Sequence, residues 1–118
     1  MTKNPPLARP EKGADLQQQE QTMNYAQMTK EARVVLVEFF ATWCPHCQKM
    51  MPIVAEVRER LGKDIPVVQL DIDQNKAAAQ EARVDGVPTF IIYQNGTEVW
   101  RYSGEIDGNE LLAKVQSY

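Results

Sequence analysis

From Val34 to Phe40 the chain reads Val-Val-Leu-Val-Glu-Phe-Phe, apolar at every position except Glu38. A short, continuous run of β-branched and aromatic residues predicts a strand buried on both faces, because a half-buried strand would alternate apolar with polar residues. The period then changes. Met50, Val54, Val57 and Leu61 recur at helical spacing within Pro45–Leu61 and predict an amphipathic helix, with Gly62 as its stop. Pro52 lies inside that pattern and predicts a kink or a break in the hydrogen-bond ladder. Pro66 to Ile72 reads as a second buried strand, and the alanine-rich stretch from Asn75 to Arg83 as a helix. Thr89 to Tyr93 and Glu98 to Tyr102 flank Asn95-Gly96, a strong hairpin signal. Asp107 followed by Glu110 is a capping signal ahead of Leu111, Leu112 and Val115.

Upstream the pattern thins. Residues 1–20 hold Pro5, Pro6, Pro10, Gly13 and a polar run of glutamines, so a flexible tail or linker is expected there, and a single domain over residues 21–118. A short helix is expected from Thr22 to Ala32, with Met23 and Met28 as anchors. From Val34 onward the order is β-α-β-α-β-β-α. Alternating helices and strands imply parallel pairing, and the closing hairpin adds antiparallel strands, so the fold class is α/β with a central mixed sheet flanked by helices.

Composition narrows the possibilities without choosing among them. A chain of 118 residues suits one core, and a net charge of −3 without a basic run gives no footprint for nucleic acid. No stretch reaches the ~18 apolar residues of a membrane helix. Met1 to Pro10 lacks the apolar core of a signal peptide. The protein is thus expected either in the cytoplasm or, after removal of a leader, outside it; the polar, proline-bearing tail favours the second. A monomer is expected.

The two cysteines, Cys44 and Cys47, carry the chemistry. A disulfide between them closes so short a loop that its entropic effect on stability is small, which argues against a structural staple. Cys44 falls between the first strand and the long helix, and Pro45 suits the first helical position. Cys44 is then the N-cap, where free backbone N–H groups and the helix dipole favour a thiolate. Cys47 lies about one turn further on, within reach of the same sulfur. One exposed attacking thiol and one sheltered resolving thiol are expected. A zinc site would want four ligands, and the chain has two cysteines and one histidine. His46 is placed to add positive potential beside Cys44, and a buried Glu38 would have a raised pKa suited to exchanging protons with Cys47. Trp43 is either packing or an aromatic surface for protein substrates; Trp100 is expected to be structural.

Leu36 to Cys47, Asp71 to Asn75 and Gly86 to Phe90, in that order, closely resemble segments of the thioredoxin family. The resemblance runs from about Tyr25 to the C-terminus. It implies the thioredoxin fold and thiol–disulfide oxidoreductase activity through a redox-active Cys44–Cys47 disulfide, with no other cofactor. It also implies a cis bond before Pro88, which helps hold substrate, and backbone hydrogen bonds from Val87 to a substrate strand. The partners implied are protein thiols and disulfides and a recycling redox partner. The family pattern is departed from in three places. Pro45-His46 replaces the usual Gly-Pro and is similar to the dipeptide of DsbA-type periplasmic oxidants, which leans the poise towards oxidation. Glu38 stands in place of a buried Asp, and Gln69 in place of a Lys near that acid. Two alternatives to electron transfer are a peptide-binding module of the same fold and a metallochaperone using both cysteines.

Overall fold

In the computed structural model the described residues are 24–118. The expected tail over residues 1–20, and the start of the helix expected from Thr22, lie outside them. The elements are α1 (Tyr25–Met28), β1 (Val34–Phe40), α2 (Pro45–Leu61), β2 (Val67–Asp71), α3 (Lys76–Glu81), β3 (Thr89–Gln94), β4 (Thr97–Ser103) and α4 (Gly108–Gln116).

The strands form one sheet in the order β2-β1-β3-β4. β1 pairs parallel with β2, which requires the long crossover that α2 supplies, and antiparallel with β3. β3 and β4 make the hairpin, turning at Asn95 and Gly96, both at positive φ. β1 is thus an inner strand, which is why its apolar run is nearly unbroken. Alternation along it sends Val34 and Leu36 to one face and Val35, Val37 and Phe39 to the other. The first face packs with Phe90 and Ile92 under Met50, Val54 and Val57 of α2 and Leu111 and Val115 of α4. The second packs with Ile91, Tyr93, Leu70 and Tyr25. By the same alternation Glu38 falls on the α2 face.

Four expectations are corrected. α1 is a single turn, capped where the Asn24 side chain accepts from the Gln27 N–H, because Tyr25 alone in it is buried. β2 buries only Val67 and Leu70, since an edge strand has one neighbour and a partly open side. α3 ends at Glu81 because Arg83 turns to a φ of 57°; the guanidinium of Arg101 donates to the carbonyls of Ala82 and Arg83 just beyond the helix end. Pro52 does not interrupt α2, which stays helical from Pro45 to Leu61. Pro52 is on the exposed side, and packing of Met50, Val54 and Val57 on the core offsets the ~3 kcal/mol an internal proline costs.

Candidate active site

The turn after β1 delivers Trp43 and Cys44 to the start of α2. Cys44 is the N-cap with extended backbone, Pro45 occupies the first turn, and Cys44 Sγ accepts from the Cys47 N–H at 3.3 Å. The helix N-terminus therefore presents a backbone donor to that sulfur.

The two cysteines, both unbridged, face different spaces. Cys44 lines an open groove of about 430 Å³ together with Trp43, His46, Ile72, Asp85 and Val87. Cys47 lines a separate cavity of about 380 Å³ with Glu38, Gln48, Met51 and Gln69. Cys44 is less exposed than expected: it retains 4% of its surface and Cys47 2%. The Cys44 thiol donates to the Val87 carbonyl at 3.6 Å, so the wall opposite the sulfur covers much of it. Burial, hydrogen bonding with Cys44 and the nearby negative charges push the Cys47 thiol up to about 12. The inner sulfur is therefore a thiol at neutral pH.

The opposite wall is the segment before β3. The Val87–Pro88 peptide bond is cis. The Thr89 hydroxyl donates to the Gly86 carbonyl at 2.6 Å, and the Gly104 N–H donates to the Pro88 carbonyl at 2.8 Å, so both ends of the wall are fixed. Trp43 is 64% exposed, yet its indole N–H donates to Asp73 at 2.9 Å, which holds the ring beside the groove. Trp100 is partly buried against the α2 face of the core.

Glu38 is 2% exposed. Burial raises its carboxyl above the usual range, opposed in part by the hydrogen bond from the Gln69 amide at 2.9 Å and by the charge of Arg58. Glu38 and Gln69 are register partners across β1 and β2. Gln69, where the family pattern has a lysine, thus supplies a neutral donor to the same acid.

The fold brings Trp43, Cys44, Pro45, His46 and Val87 to one groove and Glu38 and Cys47 to the neighbouring cavity. Two contributors were not foreseen. Asp73 holds Trp43, and Glu105 pairs with His46 across 59 positions of sequence, a separation no local pattern encodes. Among the described residues no cluster of three or more metal-ligating side chains is present, and no helix is long and apolar enough to cross a membrane.

Comparison with known proteins agrees with this fold. The family model described as Thioredoxin matches residues 16–117. A protein named Thioredoxin Y, chloroplastic, from Oryza sativa subsp. japonica is 40% identical over 90 residues, covering 76% of this chain and 54% of that protein. Thioredoxin Y2, chloroplastic, from Arabidopsis thaliana is 38% identical, and the match covers 70% of this chain and 50% of it. This chain thus spans about half the length of these plant relatives. A thioredoxin-like protein of Synechocystis is 34% identical over 99 residues, covering 83% of this chain and 94% of the relative. Among solved structures, an N21Q mutant thioredoxin from Halobacterium salinarum superposes with a TM-score of 0.73 at 33% identity, covering 81% of this chain and 83% of that one. With a matching model over most of its length and this fold around its cysteine pair, the chain belongs to the thioredoxin family.

Proposed function

We propose that this protein is a thiol–disulfide oxidoreductase acting on protein cysteines, with Cys44 as the attacking and Cys47 as the resolving sulfur. The observation that carries the reading is the separation of the two sulfurs: Cys44 caps α2 at the open groove, while Cys47 lies behind it as a buried thiol.

In the reducing direction, the Cys44 thiolate attacks one sulfur of a substrate disulfide. A Cys44–substrate bond forms as the substrate S–S bond breaks, and the departing substrate thiolate takes a proton. Cys47 then loses its proton, and its thiolate attacks Cys44 Sγ. The Cys44–Cys47 disulfide forms, the mixed disulfide breaks, and the second substrate sulfur leaves with the electron pair. Two electrons have passed to the substrate, and the redox unit is the cysteine pair itself. The reverse sequence oxidises a substrate dithiol.

Glu38 is the group placed to take the proton of Cys47, since both line one cavity and the acid is already biased towards exchange nearer neutrality. The substrate segment lies along the groove between Trp43 and Val87, where Val87 offers its backbone and Pro88 fixes the wall. His46 leans the poise towards oxidation, and a separate redox partner recycles the pair. The plant relatives named chloroplastic support a place of work outside the cytoplasm, which fractionation of the source cells would test.

The deciding experiment is trapping. Cys47→Ser accumulates mixed disulfides through Cys44, and Cys44→Ser traps nothing and loses insulin reduction by several orders of magnitude. Trapping through Cys47 alone would reverse the assignment. Insulin left unreduced by the parent protein, with peptide still bound or metal carried after purification, would replace it with the binding-module or metallochaperone reading.

A further inference from the structure

His46 does not stand alone at the groove. Its Nδ1 pairs with Glu105 Oε2 at 2.5 Å, and Lys49 Nζ lies 4.0 Å from the same carboxylate oxygen. Glu105 belongs to the turn between β4 and α4. It follows Gly104, whose N–H is bound to the Pro88 carbonyl and whose φ of 110° is one that side-chain-bearing residues rarely adopt. The backbone that carries Glu105 is therefore tied to one wall of the groove, and its side chain to the other.

We propose that Glu105 is a positioning residue of the redox centre, holding the His46 ring through Nδ1 and sustaining its positive charge beside Cys44. The proposal rests on the exchange function described above. A carboxylate at Nδ1 accepts a hydrogen bond from the N–H there, which fixes the ring's orientation and leaves Nε2 as its free nitrogen. The hydrogen bond from His46 is the largest influence holding the Glu105 carboxyl below the usual carboxylate range, with a smaller contribution from Lys49.

The sign of the redox effect follows from where each charge sits. The thiolate exists only in the reduced protein, so a cation at the groove stabilises that form and raises the reduction potential. Glu105 also repels the thiolate, but it is not among the groove's lining residues and is 40% exposed, so solvent screens its direct action more than its contact with the ring. The ring's charge dominates. The other charged or titratable groups that share the groove or the carboxylate with the ring are Lys49 on α2, Cys44 at its N-cap and Asp85 on the opposite wall.

The test is a double-variant cycle read by equilibration with glutathione. Glu105→Ala and His46→Ala each lower the equilibrium constant for holding the pair reduced by roughly three- to tenfold near pH 7, or about 15–30 mV. The double variant loses no more than His46→Ala alone, because one effect acts through the other. Glu105→Gln keeps an acceptor for Nδ1 without the charge and falls between parent and Glu105→Ala. The differences shrink in 1 M salt. A parent-like potential in Glu105→Ala, or losses that add in the double variant, would overturn the proposal. Carboxyl NMR reads the pair apart from any exchange activity: the Glu105 titration moves to higher pH in His46→Ala. Identical titrations would dissolve the pairing, whereas a parent that never equilibrates with glutathione would count against the exchange function and leave this readout intact.

Discussion

Glu38 shows how one residue's position in a strand decides its chemistry. Its place in an apolar run marks it as buried, and the alternation of β1 puts it on the face that α2 covers. An ionised carboxylate there lacks water, so burial raises its pKa against the opposing pull of Gln69 and Arg58. A raised carboxyl stabilises the fold at acid pH, below the ordinary glutamate value, and that stabilisation is lost as pH rises through the raised folded value. Glu38→Gln keeps an acceptor for the Gln69 amide and removes the charge. It should unfold at higher denaturant than the parent at pH 8, with the gap closing towards pH 4. The same variant should slow release of the mixed disulfide ~10-fold or more near pH 7, since Cys47 has lost its proton acceptor. Stopped-flow measurement of that step decides the point; equal rates for variant and parent across neutral pH would remove Glu38 from the proton path.

Among the elements, the hairpin was the easiest to read and is the easiest to test. Asn95 and Gly96 take φ values of 53° and 81°, which suit a tight turn between β3 and β4. A Cβ on Gly96 would also come within 2.9 Å of Lys30 Cγ, although that side chain can move. Gly96→Ala should therefore cost about 1–2 kcal/mol, most of it backbone strain, with an unchanged denaturant slope. The long elements were legible because each carries its own signal: the apolar run of β1, the helical stripe of α2 and the Asp107 cap, whose side chain accepts from the Glu110 N–H. The elements read less well lack such signals. α1 and the edge position of β2 depend on what the sheet leaves uncovered, which is a property of topology. The site divides in the same way. Cys44, Cys47 and Pro45 announce themselves by spacing, whereas the links to His46 from Glu105 and to Trp43 from Asp73 join segments far apart in the chain.

For the molecule as a whole, the groups buried without charge set a limit on alkaline stability. Cys47 sits on one face of the sheet with its thiol pushed up to about 12. On the other face Tyr25 and Tyr93 share a hydrogen bond of 2.7 Å between buried hydroxyls, and burial raises both, most strongly Tyr25. In the unfolded chain these groups ionise near their ordinary values, about 8.5 for cysteine and about 10 for tyrosine. Above those values the unfolded state binds fewer protons than the native state, so stability must fall as pH rises. Each group contributes a slope of up to ~1.4 kcal/mol per pH unit across its window. The reduced protein should therefore lose stability from about pH 9, first through Cys47 and then more steeply through the tyrosines. Oxidation removes the Cys47 proton from the balance, so the oxidised protein should hold its stability until the tyrosine window opens near pH 10. Replacing both Tyr25 and Tyr93 with Phe should flatten that second decline while leaving the first in the reduced protein. Denaturant titrations of the four species between pH 8 and pH 11 separate the two contributions. Equal alkaline slopes for reduced and oxidised protein would show that the Cys47 thiol ionises as easily in the fold as out of it, and the picture of a sheltered resolving sulfur would fail with it.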